Sequence, residues 1–253
     1  MKKYKHLFFD IDRTLWDYET NAREALREMH EKRDLNNFSI NFDDFAREFY
    51  RYNELLWAKF RNGQIQKPAL RDRRFYLTLK KLGVDNNNLA LLLSADYIEL
   101  SPIQTNLFPE VIETLGYLKP KYHLHIITNG FNEVQFKKLR NCGIEHFFEK
   151  IVTSDNAQSQ KPNMKIFEYA LTSVNAKKVE SLMIGDDWDL DIMGAKSYGF
   201  DQIYFNPYLN KQEGKATFEI ACLMHDCAHS PFSHTFEHYY LFEQQILYQL
   251  HVF

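Results

Sequence analysis

The sequence predicts an α/β fold: a parallel sheet core covered by helices on both faces, with an inserted all-helical cap. Three observations lead there. Strand-like apolar runs at residues 5–10, 123–128, 150–153, 181–185 and 202–205 alternate with helical patterns, the signature of βα units. From residue 16 to 104 that alternation stops, and Phe42, Phe45, Phe49, Leu55, Leu56, Leu77, Leu79 and Leu82 recur at helical spacings in a charged background. Polar clusters stand at the ends of the apolar runs, where a parallel sheet gathers its ligands. The expected organisation is a discontinuous core at 1–15 and 105–220, a helical cap at 16–104, and an atypical histidine-rich tail at 221–253, read as helical.

At 253 residues with 45% hydrophobic content, the chain is long enough for one large domain or a core with an inserted subdomain. No apolar run reaches membrane-helix length, and Met1-Lys2-Lys3-Tyr4-Lys5 passes at once into a strand without a signal-peptide cleavage pattern, so a cytoplasmic protein is expected. Cys142, Cys222 and Cys227 are odd in number and lack a zinc-ribbon spacing, which favours reduced thiols over a disulfide framework. A net charge of −3 argues against a nucleic-acid polymer as the main partner. A monomer or a homodimer is expected.

The first element is the richest. Phe8-Phe9-Asp10-Ile11-Asp12-Arg13-Thr14-Leu15-Trp16 ends an apolar run with two carboxylates spaced by two and then a hydroxyl. Residues so spaced point the same way, so Asp10 and Asp12 are able to converge on one cation and one substrate. Like charges that close need a metal, a proton or a cationic partner. For this triplet alone a solvated Asp-x-Asp turn is an equal reading. Ile126-Ile127-Thr128-Asn129-Gly130 follows the cap; a helix beginning here would make Thr128 and the amides around Asn129 an anion site, and the alternative for Asn129 is a plain turn former. Lys161-Pro162 comes next, with Pro162 expected to open a helix at its first turn. Met183-Ile184-Gly185-Asp186-Asp187 closes the set, with Asp191 on the following turn.

Taken together and in this order, the four pieces resemble the motifs of the haloacid dehalogenase-like superfamily, mostly phosphohydrolases on a Rossmann-like core, over residues 3–220. The resemblance implies that Asp10 is the nucleophile, forming an aspartyl-phosphate. Asp12 would be the general acid and base, with its carbonyl helping to hold the metal. Asp186 would complete a magnesium site, and Asp191 would be an outer-shell ligand through water. Lys161 would stand between Asp10 and the phosphate, whose oxygens Thr128 and Asn129 would grip. Asp12 favours phosphoryl transfer, since dehalogenating members have a non-acidic residue there. Asp187 departs from the small hydroxyl residue more usual at its position and either binds metal or caps the next helix. Arg13 departs from a small or neutral residue.

Thr14-Leu15-Trp16-Asp17-Tyr18, with the phrases around Gly130 and Asn206-Pro207, is similar to the capped branch containing pyrimidine 5′-nucleotidases. There Trp16 would either stack on a base or pack between core and cap. Sugar phosphates and other small phosphomonoesters remain open as substrates. Half of the ten histidines lie in the tail, where the stretch from Cys222 to His234 looks like a fragment of an HD-domain phosphohydrolase, with His225 and Asp226 as its metal-binding pair. Three functions are therefore carried forward: a magnesium-dependent phosphomonoesterase, a metal phosphohydrolase acting through the tail, and a noncatalytic phospholigand-binding protein.

Overall fold

The computed structural model describes residues 4–212 and 214–220, so the tail at 221–253, with its expected helix and HD-like stretch, lies outside the described residues. The described chain divides into two compact units, one from residues 4–17 with 106–220 and the other Tyr18–Thr105. In chain order the elements are β1 (His6–Phe9), α1 (Tyr18–Lys32), α2 (Phe42–Arg61), α3 (Lys67–Lys81), α4 (Asn87–Leu100), α5 (Val111–Leu118) and β2 (His123–Thr128). Then come α6 (Asn132–Asn141), β3 (Lys150–Thr153), α7 (Ser154–Ala157), α8 (Met164–Ser173), β4 (Ser181–Gly185), α9 (Gly194–Tyr198), β5 (Asp201–Phe205) and β6 (Phe218–Ile220). No helix among the described residues is long and apolar enough to cross a membrane.

The core unit is a six-stranded parallel sheet in the order β3-β2-β1-β4-β5-β6. A parallel sheet is covered on both faces, which is why its strands read as continuous apolar runs. Leu7, Phe8 and Phe9 of the central strand are all buried. On one face Phe8, Ile127, Val152 and Met183 pack against Ile166, Phe167 and Ala170 of α8. In the same sheet His125 is fully buried, with its Nε2 3.1 Å from His6 Nδ1. The sequence did not announce β6, which is too short for a run and is held by pairing Ile203 with Phe218. Pro162 does not open α8; Asn163 does, its side chain accepting a hydrogen bond from the Lys165 amide at 3.0 Å.

The second unit, the helical insertion, begins at Tyr18, two residues after the boundary read from the sequence. Trp16 belongs to the core: it bridges to Asp12 and, antiparallel, to Leu107, while the Asp17 amide donates to the Asn106 carbonyl at 3.0 Å. Inside the cap, Asn41 and Asn86 cap α2 and α4 by accepting from the Asp44 and Leu89 amides. The helical faces meet around Phe45, Phe49, Phe75, Leu79 and Leu93. Leu55 is not part of that cluster; it lies 45% exposed, one residue and about 100° round the helix from buried Leu56.

Candidate active site

Three strands of the core end side by side and deliver the acidic residues to one place. Asp10 follows β1 directly and donates its amide to the Ile184 carbonyl on β4 at 2.9 Å; Asp186 follows β4, and Thr128 is the last residue of β2. Asp10, Asp186 and Asp191 each bring a carboxylate oxygen within 4.8 Å of the other two. Lys161, almost fully buried, sets its ammonium 2.5 Å from Asp10 Oδ1, 2.6 Å from Asp191 Oδ1 and 2.9 Å from the Ile127 carbonyl. The Thr14 hydroxyl donates to Asp186 Oδ1 at 3.2 Å, tying the loop after β1 to the end of β4.

The local folding that builds this cluster is visible residue by residue. Asp191 sits on a π-helical turn, Trp188–Met193, capped by Asp187, whose carboxylate accepts from the Asp189 and Leu190 amides at 3.0 and 2.9 Å. Asp187 is thus a helix cap. Gly185 lacks a side chain because the Asp191 carboxyl occupies that space: a Cβ there would lie 2.3 Å from Asp191 Oδ2. Arg13 adopts a left-handed conformation with φ 69, a backbone state that costs roughly 1–2 kcal/mol for a residue with a Cβ.

The electrostatics leave an excess of negative charge. Burial pushes the Asp10 carboxyl up to about 7, against the pull of Lys161 and with a further push from Asp191 and Asp12. Burial, then the charges of Asp10 and Asp191, hold Asp186 well above the usual carboxylate range. Asp191 is also raised, chiefly by burial. Burial disfavours the Lys161 ammonium, but Asp10 and Asp191 outweigh it and keep the lysine charged. One ammonium cannot balance three carboxylates. A small, hard divalent cation fits this donor set, which is all oxygen and offers few carboxylates, as magnesium sites do.

The geometry specifies two roles that the sequence left open. The Asn129 side chain does not reach out to an anion; its Nδ2 donates to the Lys161 carbonyl at 3.0 Å and its Oδ1 accepts from the Lys161 amide at 2.7 Å. It anchors the lysine's backbone. Trp16 offers no free ring for stacking on a base, being 1% exposed with the Lys138 ammonium 3.5 Å from its ring centroid. Thr128 keeps a form suited to gripping an oxyanion: its Oγ1 accepts from the Gly130 amide and from Gln135 Nε2, both at 3.1 Å, so its own proton is left to donate.

Asp12 turns its carboxylate away from the acidic cluster toward α6. Gln135 Nε2 donates to Oδ2 at 2.7 Å and Lys138 Nζ to Oδ1 at 2.5 Å. Burial raises this carboxyl, yet Lys138 and the two hydrogen bonds more than offset that and hold it below the usual range. Gln135 and Lys138 were missed by sequence reasoning, and Thr14 was noted as a hydroxyl without a role. The available signal was a glutamine and a lysine three apart, directly after the Thr-Asn-Gly phrase, on a helix whose other inward residue is Leu139.

Known proteins agree with this architecture. The model of the family described as haloacid dehalogenase-like hydrolase matches residues 4–199. The HAD-hydrolase YfnB of Bacillus subtilis is 30% identical over 87% of this chain and 92% of its own. The glyceraldehyde 3-phosphate phosphatase of Methanothermobacter thermautotrophicus is 34% identical over 83% of this chain and 88% of its own. The pyrimidine 5′-nucleotidase YjjG of Escherichia coli is 29% identical over 88% and 96%. The crystal structure of YfnB bound to magnesium superposes with a TM-score of 0.80 and 28% identity, covering 88% of this chain and 96% of that one.

Proposed function

The chain belongs to the haloacid dehalogenase-like hydrolases and is a phosphatase of that family, and from this premise we propose that it is a magnesium-dependent 5′-nucleotidase acting on pyrimidine nucleoside monophosphates. The observation that carries the catalytic part is the buried Lys161 ammonium bound to Asp10 beside two further carboxylates at the strand ends. The substrate part is supported by the relatives named pyrimidine 5′-nucleotidase.

A phosphate monoester resists attack because a negative nucleophile meets a negative centre, so charge neutralisation and positioning do most of the work. Asp10 Oδ attacks phosphorus; the Asp10–phosphorus bond forms as the ester P–O bond breaks, and the leaving oxygen takes a proton from Asp12. Water then attacks the aspartyl-phosphate, its proton passes to Asp12, and the acyl-phosphate P–O bond breaks to return the Asp10 carboxylate and release phosphate. Splitting the reaction this way replaces one difficult step by two easier ones. Asp12 has to carry a proton in the first step and be free of it in the second; the carboxylate held by Lys138 and Gln135 is the second form. Lys161 orients Asp10, and the Thr128 proton binds a phosphoryl oxygen. Asp10 and Asp186, with the Asp12 carbonyl and with Asp191 through water, would hold a magnesium ion. When bound, magnesium supplies positive charge to the phosphoryl oxygens.

The test is phosphate release from nucleoside monophosphates and sugar phosphates, with magnesium or EDTA, by the native chain and Asp10→Asn. Activity that needs magnesium, is lost in the variant and is highest on uridine and thymidine monophosphates supports the proposal. A preference for triose phosphates moves the substrate to the second reading, which the relatives named glyceraldehyde 3-phosphate phosphatase favour. Binding of phosphate esters without release of phosphate would leave a noncatalytic receptor. Activity surviving in Asp10→Asn would point to the tail.

A further inference from the structure

One face of α6 is built against Asp12 in a way that helix stability does not require. Gln135 and Lys138 stand one turn apart, are 1% and 5% exposed, and take one oxygen each of the Asp12 carboxylate. A surface lysine ordinarily keeps its ammonium in water. Burying Lys138 forfeits hydration and up to about 2 kcal/mol of rotamer freedom, and its position over the Trp16 ring fixes it from a second side. Gln135 Nε2 reaches Thr128 Oγ1 as well as Asp12 Oδ2. Only the amide nitrogen suits both contacts, because a carboxylate accepts and does not donate. Gly130 completes the device: a Cβ at that residue would lie 1.8 Å from Gln135 Nε2, although its φ is not one that demands glycine. The glycine is there for the glutamine to lie across the turn.

We infer that Gln135 and Lys138 are positioning residues that hold the Asp12 carboxyl at the leaving oxygen, and that Gln135 locks it in register with Thr128, the group that binds the phosphoryl oxygens. This rests on the assignment of Asp12 as the proton-transferring group. The proton donor and the phosphate grip then move as one piece, and the enzyme's advantage is greatest for esters whose leaving oxygen needs a proton. Alkyl esters such as nucleotides need it; an aryl ester with a good leaving group does not.

The experiment compares kcat/KM, which reports formation of the aspartyl-phosphate, for uridine 5′-monophosphate and p-nitrophenyl phosphate. Gln135→Leu and Lys138→Met each lower the value for the nucleotide about 10–100-fold and for the aryl ester less than about 3-fold. Lys138→Arg recovers most of the loss, and Gly130→Ala reproduces the pattern of Gln135→Leu. Equal falls on both esters, or no fall on either, overturn the positioning role, and a melting temperature for each variant shows whether an equal fall is only lost folding. Asp12→Asn is the reference. If it splits the two esters and the α6 variants do not, the positioning proposal alone fails; if Asp12→Asn itself gives no split, the assignment of Asp12 fails.

Discussion

The two units handle buried charge in opposite ways. In the core, Lys161 has two carboxylates within 2.6 Å and a third close by, so cation and anions are mutually dependent and the sum is still negative. In the cap, Arg74 is 7% exposed and forms no ion pair among the described residues. Its Nη1 donates to Asn53 Oδ1 at 3.0 Å, and the rings of Tyr97, Phe75 and Phe49 surround it at 4.5, 5.4 and 5.7 Å. Burial lowers the tendency of this guanidinium to stay charged, and the rings are its main compensation. Where this unit buries carboxylates, at Asp96 and Glu48, each has two basic side chains beside it, Lys32 and Arg33 for the first and Arg47 and Arg51 for the second. Among the described residues, the acidic cluster at the strand ends of the core is where several carboxylates share a single ammonium.

The sharpest way to break this contrast is to remove each buried cation in turn. Lys161→Met strands two carboxylates and should cost about 3–5 kcal/mol in urea unfolding, with a smaller loss at pH 6 than at pH 8, since the stranded groups then take up protons. Arg74→Met strands no carboxylate and leaves only the buried Asn53 oxygen without its donor, so it should cost about 1–2 kcal/mol. Comparable losses at the two positions would erase the distinction between the units.

Between these two in size lies a pH effect that belongs to the core alone. Burial, then the neighbouring His6, pushes the His125 imidazole down from 6.5 to about 4; Glu149 pulls it up, while His123 and Lys119 add to the fall. A base whose folded value is depressed is neutral in the fold and charged in the unfolded chain between those two values. Its contribution is therefore complete above about pH 6.5 and is lost as pH falls toward 4, on the order of 2–3 kcal/mol in all. His125→Phe should flatten the dependence of the urea midpoint between pH 7 and pH 5; an unchanged slope would assign it to other groups. Smallest of all is Gly116→Ala on α5, exposed and with nothing within 4 Å of a new Cβ, which should stabilise the core by about 0.5–1 kcal/mol.

What the sequence disclosed follows the same division. The five longer strands were legible because both faces of a parallel sheet are apolar, and β6, at three residues with Glu219 facing outward between two buried residues, had no run to read. Asp10, Lys161, Asp186 and Asp191 were legible from order and strand ends, since topology alone brings those ends together. The partners of Asp12 were not: Gln135 and Lys138 look in sequence like the wet side of an amphipathic helix, and only the fold turns that side toward a carboxylate. Asn129 was found, but its work on the Lys161 backbone depends on a loop contact 32 residues away in sequence.

The short ladder at the neck of the insertion has a consequence for how such proteins diversify. Leu15 to Asp17 runs antiparallel to Asn106 to Phe108, with the Asp17 amide on the Asn106 carbonyl and the Phe108 amide on the Leu15 carbonyl, both at 3.0 Å. In topology the whole insertion is the loop of a β-hairpin. The cost of closing a loop rises only with the logarithm of its length, about 0.6 kcal/mol per doubling. Residues 18–105 can thus lengthen, shorten or be exchanged for another module while the hairpin stem keeps its own two ends paired, leaving the insertion free to evolve at a different pace from the core unit.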